Sequence, residues 1–185
     1  FMKANCYMTT NKSLVTSNFK DIDFAILEHI CHFTDLILRL VTLERAFPCT
    51  ITPKEIPVNE SKLRFSFSIE FADKSHVSFN YSEIPDFLEG MKEKIELSKG
   101  NLSAKLSNFQ DLYIDLSGNK INKKTLFRDH GHKTSIEEAF VSTIENTGSG
   151  ESLDHIEATS KLYLKIIEAM NRNNSTTLFN QKYSN

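Results

Sequence analysis

At 185 residues, with 39% hydrophobic and 25% charged side chains, the chain is long enough for one well-filled core and too short for two comfortable domains. Its 22 basic and 24 acidic residues leave a net charge of −2, which excludes the strongly basic surface of a general polyanion binder. The three cysteines, Cys6, Cys31 and Cys49, show no C-x-x-C spacing, which argues against a disulfide framework or zinc knuckle and for a reducing, cytoplasmic setting.

Residues 1–18 are polar with scattered apolar side chains and read as an irregular arm. They hold no apolar run of the kind a signal peptide needs, and Phe1 ahead of Met2 reads as an expression remnant. Residues 19–47 form the longest segment without Gly or Pro that carries helical periodicity, and Pro48 stops it. At helical spacing Glu28, His32, Asp35, Arg39 and Thr42 fall on one narrow polar stripe, while nearly everything else is apolar. Such a helix should be buried on several sides, within its own domain or against a partner. Leu36 and Leu40 are therefore candidate partner-binding positions. Its charged interruptions exclude a membrane span, which needs about 20 apolar residues in a row.

After Pro48 an extended connector follows, with a short edge strand at 50–52. KLRFSFSIEF alternates Leu63, Phe65, Phe67, Ile69 and Phe71 with polar residues, and HVSFNY continues with Val77, Phe79 and Tyr81. Keeping the apolar residues on one face pairs Phe71 with Val77, Ile69 with Phe79 and Phe67 with Tyr81, around a turn centred on Lys74. Pro85 to Gly100 reads as a helix with Phe87, Leu88, Met91 and Ile95 inward. Residues 101–110 fit helix and strand equally. Residues 111–127 read as a second hairpin about Gly118-Asn119, with a polar return strand at a sheet edge. Ser135 with Glu138 makes a capping box for a short helix. Ser152 caps a last helix to about residue 171, burying Leu153, Ile156, Tyr163, Ile166, Ile167 and Met170, and residues 173–185 read as a disordered polar tail.

The fold class is thus α+β, an antiparallel sheet of two hairpins packed against a long N-terminal helix and further helices. Residues 19–172 form its single domain.

Four groups of residues invite a chemical reading. Glu28, His32 and Asp35 are neighbours along one helix face and could hold a metal or do acid–base work, with His29 one step off; a salt-bridged solvent strip explains them as well. Asp129, His130 and His132 could ligate zinc or form a small enzyme's site, but the further ligands would have to come from His76, His155 or a distant Glu, and no spacing supports this. Lys120, Lys123, Lys124 and Arg128 make a basic stretch that could meet an acidic partner segment or nucleic acid, or simply guard an edge strand. The Phe-rich strands fit a base-stacking sheet less well than a core. No nucleophile elbow or Walker sequence is present, and no cofactor is expected.

The order helix, strands, helix, hairpin, helix over residues 19–146 resembles the small chaperones of type III secretion systems and, more loosely, the adaptor subunits of Dot/Icm type IVB complexes. That resemblance implies a non-catalytic adaptor or chaperone binding an extended or helical segment of another protein. Lys120, Lys123, Lys124, Arg128, Leu36 and Leu40 are the residues expected to meet it, alone or within an oligomer. The balance falls against an enzyme.

Overall fold

Small apolar side chains alternating with polar ones make KANCYMTTN the strand at the middle of the sheet. The structure, a computed structural model, describes residues 1–11, 26, 30–55, 64–84, 92–126, 141, 144 and 152–179. In chain order these form β1 (Lys3–Asn11), α1 (Cys31–Val41), α2 (Leu43–Ala46), β2 (Cys49–Glu55), β3 (Arg64–Glu70), β4 (His76–Ile84), β5 (Lys92–Lys99), β6 (Leu102–Ser107), β7 (Asp111–Leu116), β8 (Asn119–Lys124), α3 (Leu153–Arg172) and β9 (Thr176–Leu178). The nine strands form one mixed sheet in the order β8-β7-β6-β5-β1-β4-β3-β2-β9. β1 runs parallel to β4, and every other pairing is antiparallel.

Three expectations are corrected by β1 and β5. Residues 3–11 are a strand and not an arm, because Ala4, Cys6 and Met8 stand beside Val77, Phe79 and Tyr81 and share their buried face. The helix expected up to Gly100 is, over Lys92–Lys99, strand β5, with Ile95 opposite Cys6 and Leu97 opposite Ala4. Pairing with the second edge of β1 outweighs the helical preference of KEKIELSK. The sheet is accordingly wider than two hairpins, and residues 102–107 complete its meander as β6.

The β3–β4 hairpin forms with its apolar face as expected but with its register displaced by two residues. Ile69 opposes Val77, Phe67 opposes Phe79 and Phe65 opposes Tyr81. An even displacement keeps every side chain on its face, so alternation alone does not distinguish the two registers. The turn decides. Lys74 adopts φ 67°, Asp73 Oδ1 accepts from the Ser75 amide at 2.8 Å, and the His76 amide donates to the Met2 carbonyl at 2.8 Å, tying the turn to β1. Phe65 and Tyr81 stack at 4.8 Å and Phe67 and Phe79 at 4.7 Å, each pair directly cross-strand.

The long helix of residues 19–47 does not persist to its expected end. Thr42 takes φ 72° and divides α1 from the single turn of α2, which redirects the chain so that Ala46 and Phe47 enter the core. This change of direction accounts for apolar residues on what a straight helix would make several faces. α1 itself buries Phe33, Ile37, Leu38 and Val41 on one side, with Phe33 edge-on to Phe79 at 6.4 Å. Leu36 is partly buried against the core and Leu40 is 42% exposed.

α3 starts and stops where its caps predict: Ser152 Oγ accepts from the His155 amide at 3.2 Å, and Asn173 closes the helix in the left-handed region at φ 48°. Its buried face is rotated from the expected one. Ala158, Leu162, Ile166, Ala169 and Met170 point inward, while Leu153 and Ile156 are exposed. β9, in place of a disordered tail, pairs with β2, which is therefore not an edge strand. Most of the expected capping-box helix from Ser135 lies outside the described residues. Among the described residues no helix is long and apolar enough to cross a membrane.

Candidate functional site

Because α1 turns Phe33, Ile37 and Leu38 into the core, His32, Asp35 and Arg39 are left on its outer side. His32, in the first turn, is exposed. Asp35 follows three residues later and is held by two donors: Arg39 Nε reaches its Oδ2 at 3.0 Å, and His155 Nε2 from α3 reaches its Oδ1 at 2.8 Å. An ionised carboxylate only accepts, so His155 carries its proton on Nε2 in this pair. The side chain of His155 is 8% exposed, against 39% for Asp35 and 50% for Arg39. Beneath them the buried Thr34 hydroxyl donates to the Cys31 carbonyl at 2.7 Å.

Sequence spacing joined His32, Asp35 and Arg39 on one face, and the structure keeps them there. It missed the contribution of His155, which was considered only as a zinc ligand for the His130/His132 loop. Spacing within one helix cannot reveal a partner 120 residues away; the only local signal was a His in the first turn of a capped helix. Glu28 and His29 lie outside the described residues, as do Arg128, Asp129, His130 and His132. Among the described residues no group of three or more His, Cys, Asp or Glu side chains is placed to hold a metal ion.

Lys120, Lys123 and Lys124 lie on β8, at one end of the sheet, and all are exposed. Lys120 stands opposite Asp115 and Lys124 opposite Asp111, with Lys124 Nζ 3.7 Å from Asp111 Oδ1. A cross-strand carboxylate thus pairs with Lys124, while Asp115 faces Lys120 in register only. Leu36 and Leu40 lie on α1, in the helix layer. Of the six residues expected to meet a partner, the three lysines thus lie on β8 and the two leucines on α1, and Arg128 lies outside the described residues.

No protein-family model matches the chain, and no curated protein matches it in sequence. Solved structures do match its fold. A Thermotoga maritima protein described as an oxidoreductase superposes with a TM-score of 0.71 at 8% identity, over 95% of this chain and 54% of that one. A Desulfitobacterium hafniense protein described as an NADPH-dependent oxidoreductase gives 0.65 at 11% identity, over 95% and 56%. The UDP-N-acetylglucosamine 3-dehydrogenase of Acidithiobacillus ferrooxidans gives 0.68 at 12%, over 92% and 54%. The chain spans about half the length of the structures it matches. These matches overturn the resemblance to secretion chaperones and adaptors, whose element order omitted β1 and read β5 as a helix. With that resemblance go the non-catalytic adaptor reading, the balance against an enzyme, and a segment of another protein as the expected partner. The chain thus shares its fold with about half of each of these oxidoreductases and dehydrogenases.

Proposed function

We propose that the chain is the sheet-bearing part of a nicotinamide-dependent oxidoreductase, and that the outer edge of α1 at His32 faces the substrate. The observation that carries this reading is the match of nearly the whole chain to about half of each of several oxidoreductases and dehydrogenases. The described residues do not themselves fit a dinucleotide. Such a cradle is a Gly-rich turn between a strand and a helix of a parallel sheet. Here β1–β4 is the one parallel ladder among the described strands, and none of the six glycines of the sequence stands in G-x-G-x-x-G spacing. The dinucleotide is then held by another domain, and this chain contributes the substrate side.

Oxidising an alcohol requires that its hydroxyl proton be taken up as the carbon is oxidised, and an imidazole within hydrogen-bond reach does this well near neutral pH. His32 is the exposed imidazole of the edge. Asp35, held by His155 and Arg39, lies three residues further along the same face of the helix.

The test uses the protein purified from its own cells, in the form it takes there. Nicotinamide absorbance is followed with NAD or NADP and a panel of sugars, nucleotide sugars and polyols. Turnover of one such alcohol is expected, and His32→Ala should lower kcat by about 10²–10⁴-fold with an unchanged melting temperature. Absence of both dinucleotide binding and turnover would sink the reading.

A further inference from the structure

A proton-handling helix edge works only if its place is fixed, since a displacement of about 1 Å can cost about 10²-fold in rate. Burial of Phe33, Ile37 and Leu38 sets which face of α1 turns inward, but non-directional apolar contacts fix its rotation less finely than a hydrogen bond does. The hydrogen bond from His155 to Asp35 is directional. It joins the two helices at 2.8 Å between groups 120 residues apart in sequence.

The two donors to Asp35 differ in kind. Arg39 lies on the same helix and is half exposed, so its pairing with Asp35 moves with α1. His155 is buried and belongs to α3, and its own main chain is held because its amide donates to Ser152 Oγ at 3.2 Å and to the Ser152 carbonyl at 3.0 Å. The capped first turn of α3 is thus a rigid mount, and the imidazole reaches from it to α1. We infer that His155 is a positioning residue: through Asp35 it sets the rotation of α1, and with it the place of the His32 imidazole, without touching substrate. The inference rests on the proposed role of the α1 edge.

Three substitutions in the whole active protein test it. His155→Phe keeps ring and burial but removes the Nε2 donor; His155→Gln offers an amide nitrogen at similar reach; Arg39→Ala removes the other donor. His155→Phe should lower kcat about 10–100-fold with KM little changed, His155→Gln should recover most of the loss, and Arg39→Ala should have a small effect. Amide hydrogen exchange over residues 33–41 should quicken in His155→Phe and not in His155→Gln. Should His155→Phe fail to fold, Asp35→Leu, similar in shape but without an acceptor, should show the same kcat loss. Wild-type turnover with unchanged kcat in His155→Phe, or no recovery in His155→Gln, overturns the positioning role. Absence of turnover in the wild type overturns the enzyme reading instead, and the clamp is then decided by exchange alone: equal protection in wild type and His155→Phe overturns it.

Discussion

Cys6 and Phe79 stand opposite one another on parallel neighbouring strands, each 1% exposed, at the centre of the sheet. Burial pushes the Cys6 thiol from 9.0 up to about 12, and it does the same to Cys49. Folded thiols stay protonated where unfolded ones ionise, so above pH 9 the unfolded state binds fewer protons and stability falls as pH rises towards 12. Each thiol should contribute a slope of about 1.4 kcal/mol per pH unit in that window. Urea unfolding at several alkaline pH values should show the fall, and the Cys6→Ala, Cys49→Ala double variant should show a shallower one. Equal slopes would mean that the thiols ionise in the folded protein.

Leu36 and Leu40 share one helix, but Leu36 packs against the core and Leu40 faces outward. Leu36→Asp should cost about 2 kcal/mol or more, because a carboxylate would be placed against the core. Leu40→Asp should stay within about 0.5 kcal/mol. Chemical denaturation midpoints decide this, and equal losses would contradict the placement of α1.

Phe67 is fully buried in the core and stacks on Phe79 at 4.7 Å. Phe67→Ala should therefore destabilise by about 3–5 kcal/mol. A loss of only about 0.5 kcal/mol, the cost of an exposed change, would show that the residue is not in the core.

The turns carry a prediction of opposite signs. Lys74 sits at φ 67°, where a side chain is strained, and Lys74→Gly should raise stability by about 1 kcal/mol. Gly118 sits at φ 89° with nothing within 4 Å of an added Cβ, so Gly118→Ala should cost about 1 kcal/mol through the backbone alone. Thermal melts of the two variants should move in opposite directions.

The parts of the fold legible in the sequence are those whose signals are local. Phe65, Phe67 and Ile69 alternate strongly enough to define β3, Gly118 marks the β7–β8 turn, and Ser152 marks the start of α3. β1 was illegible because its inward residues, Ala4, Cys6 and Met8, are small or soft and do not stand out from a polar arm. β5 was misread because only Ile95 and Leu97 are strongly apolar, and two such residues fit either period. In both cases the missing information was the partner strand. The candidate site divides the same way: His32, Asp35 and Arg39 follow from helical spacing, whereas His155 required knowing how α3 lies on α1.

β1 also has a consequence for the order of events in folding. The hairpin β3–β4 and the meander β5–β8 close through contacts between near neighbours in the chain, but the seam that joins them waits for the first residues to meet partners some 73 positions later, as Lys3 meets His76. Joining distant segments is the slow part of assembly. A substitution in β1 that costs the same stability as one in β7 should therefore retard folding more, since the seam can form only once both half-sheets present their edges.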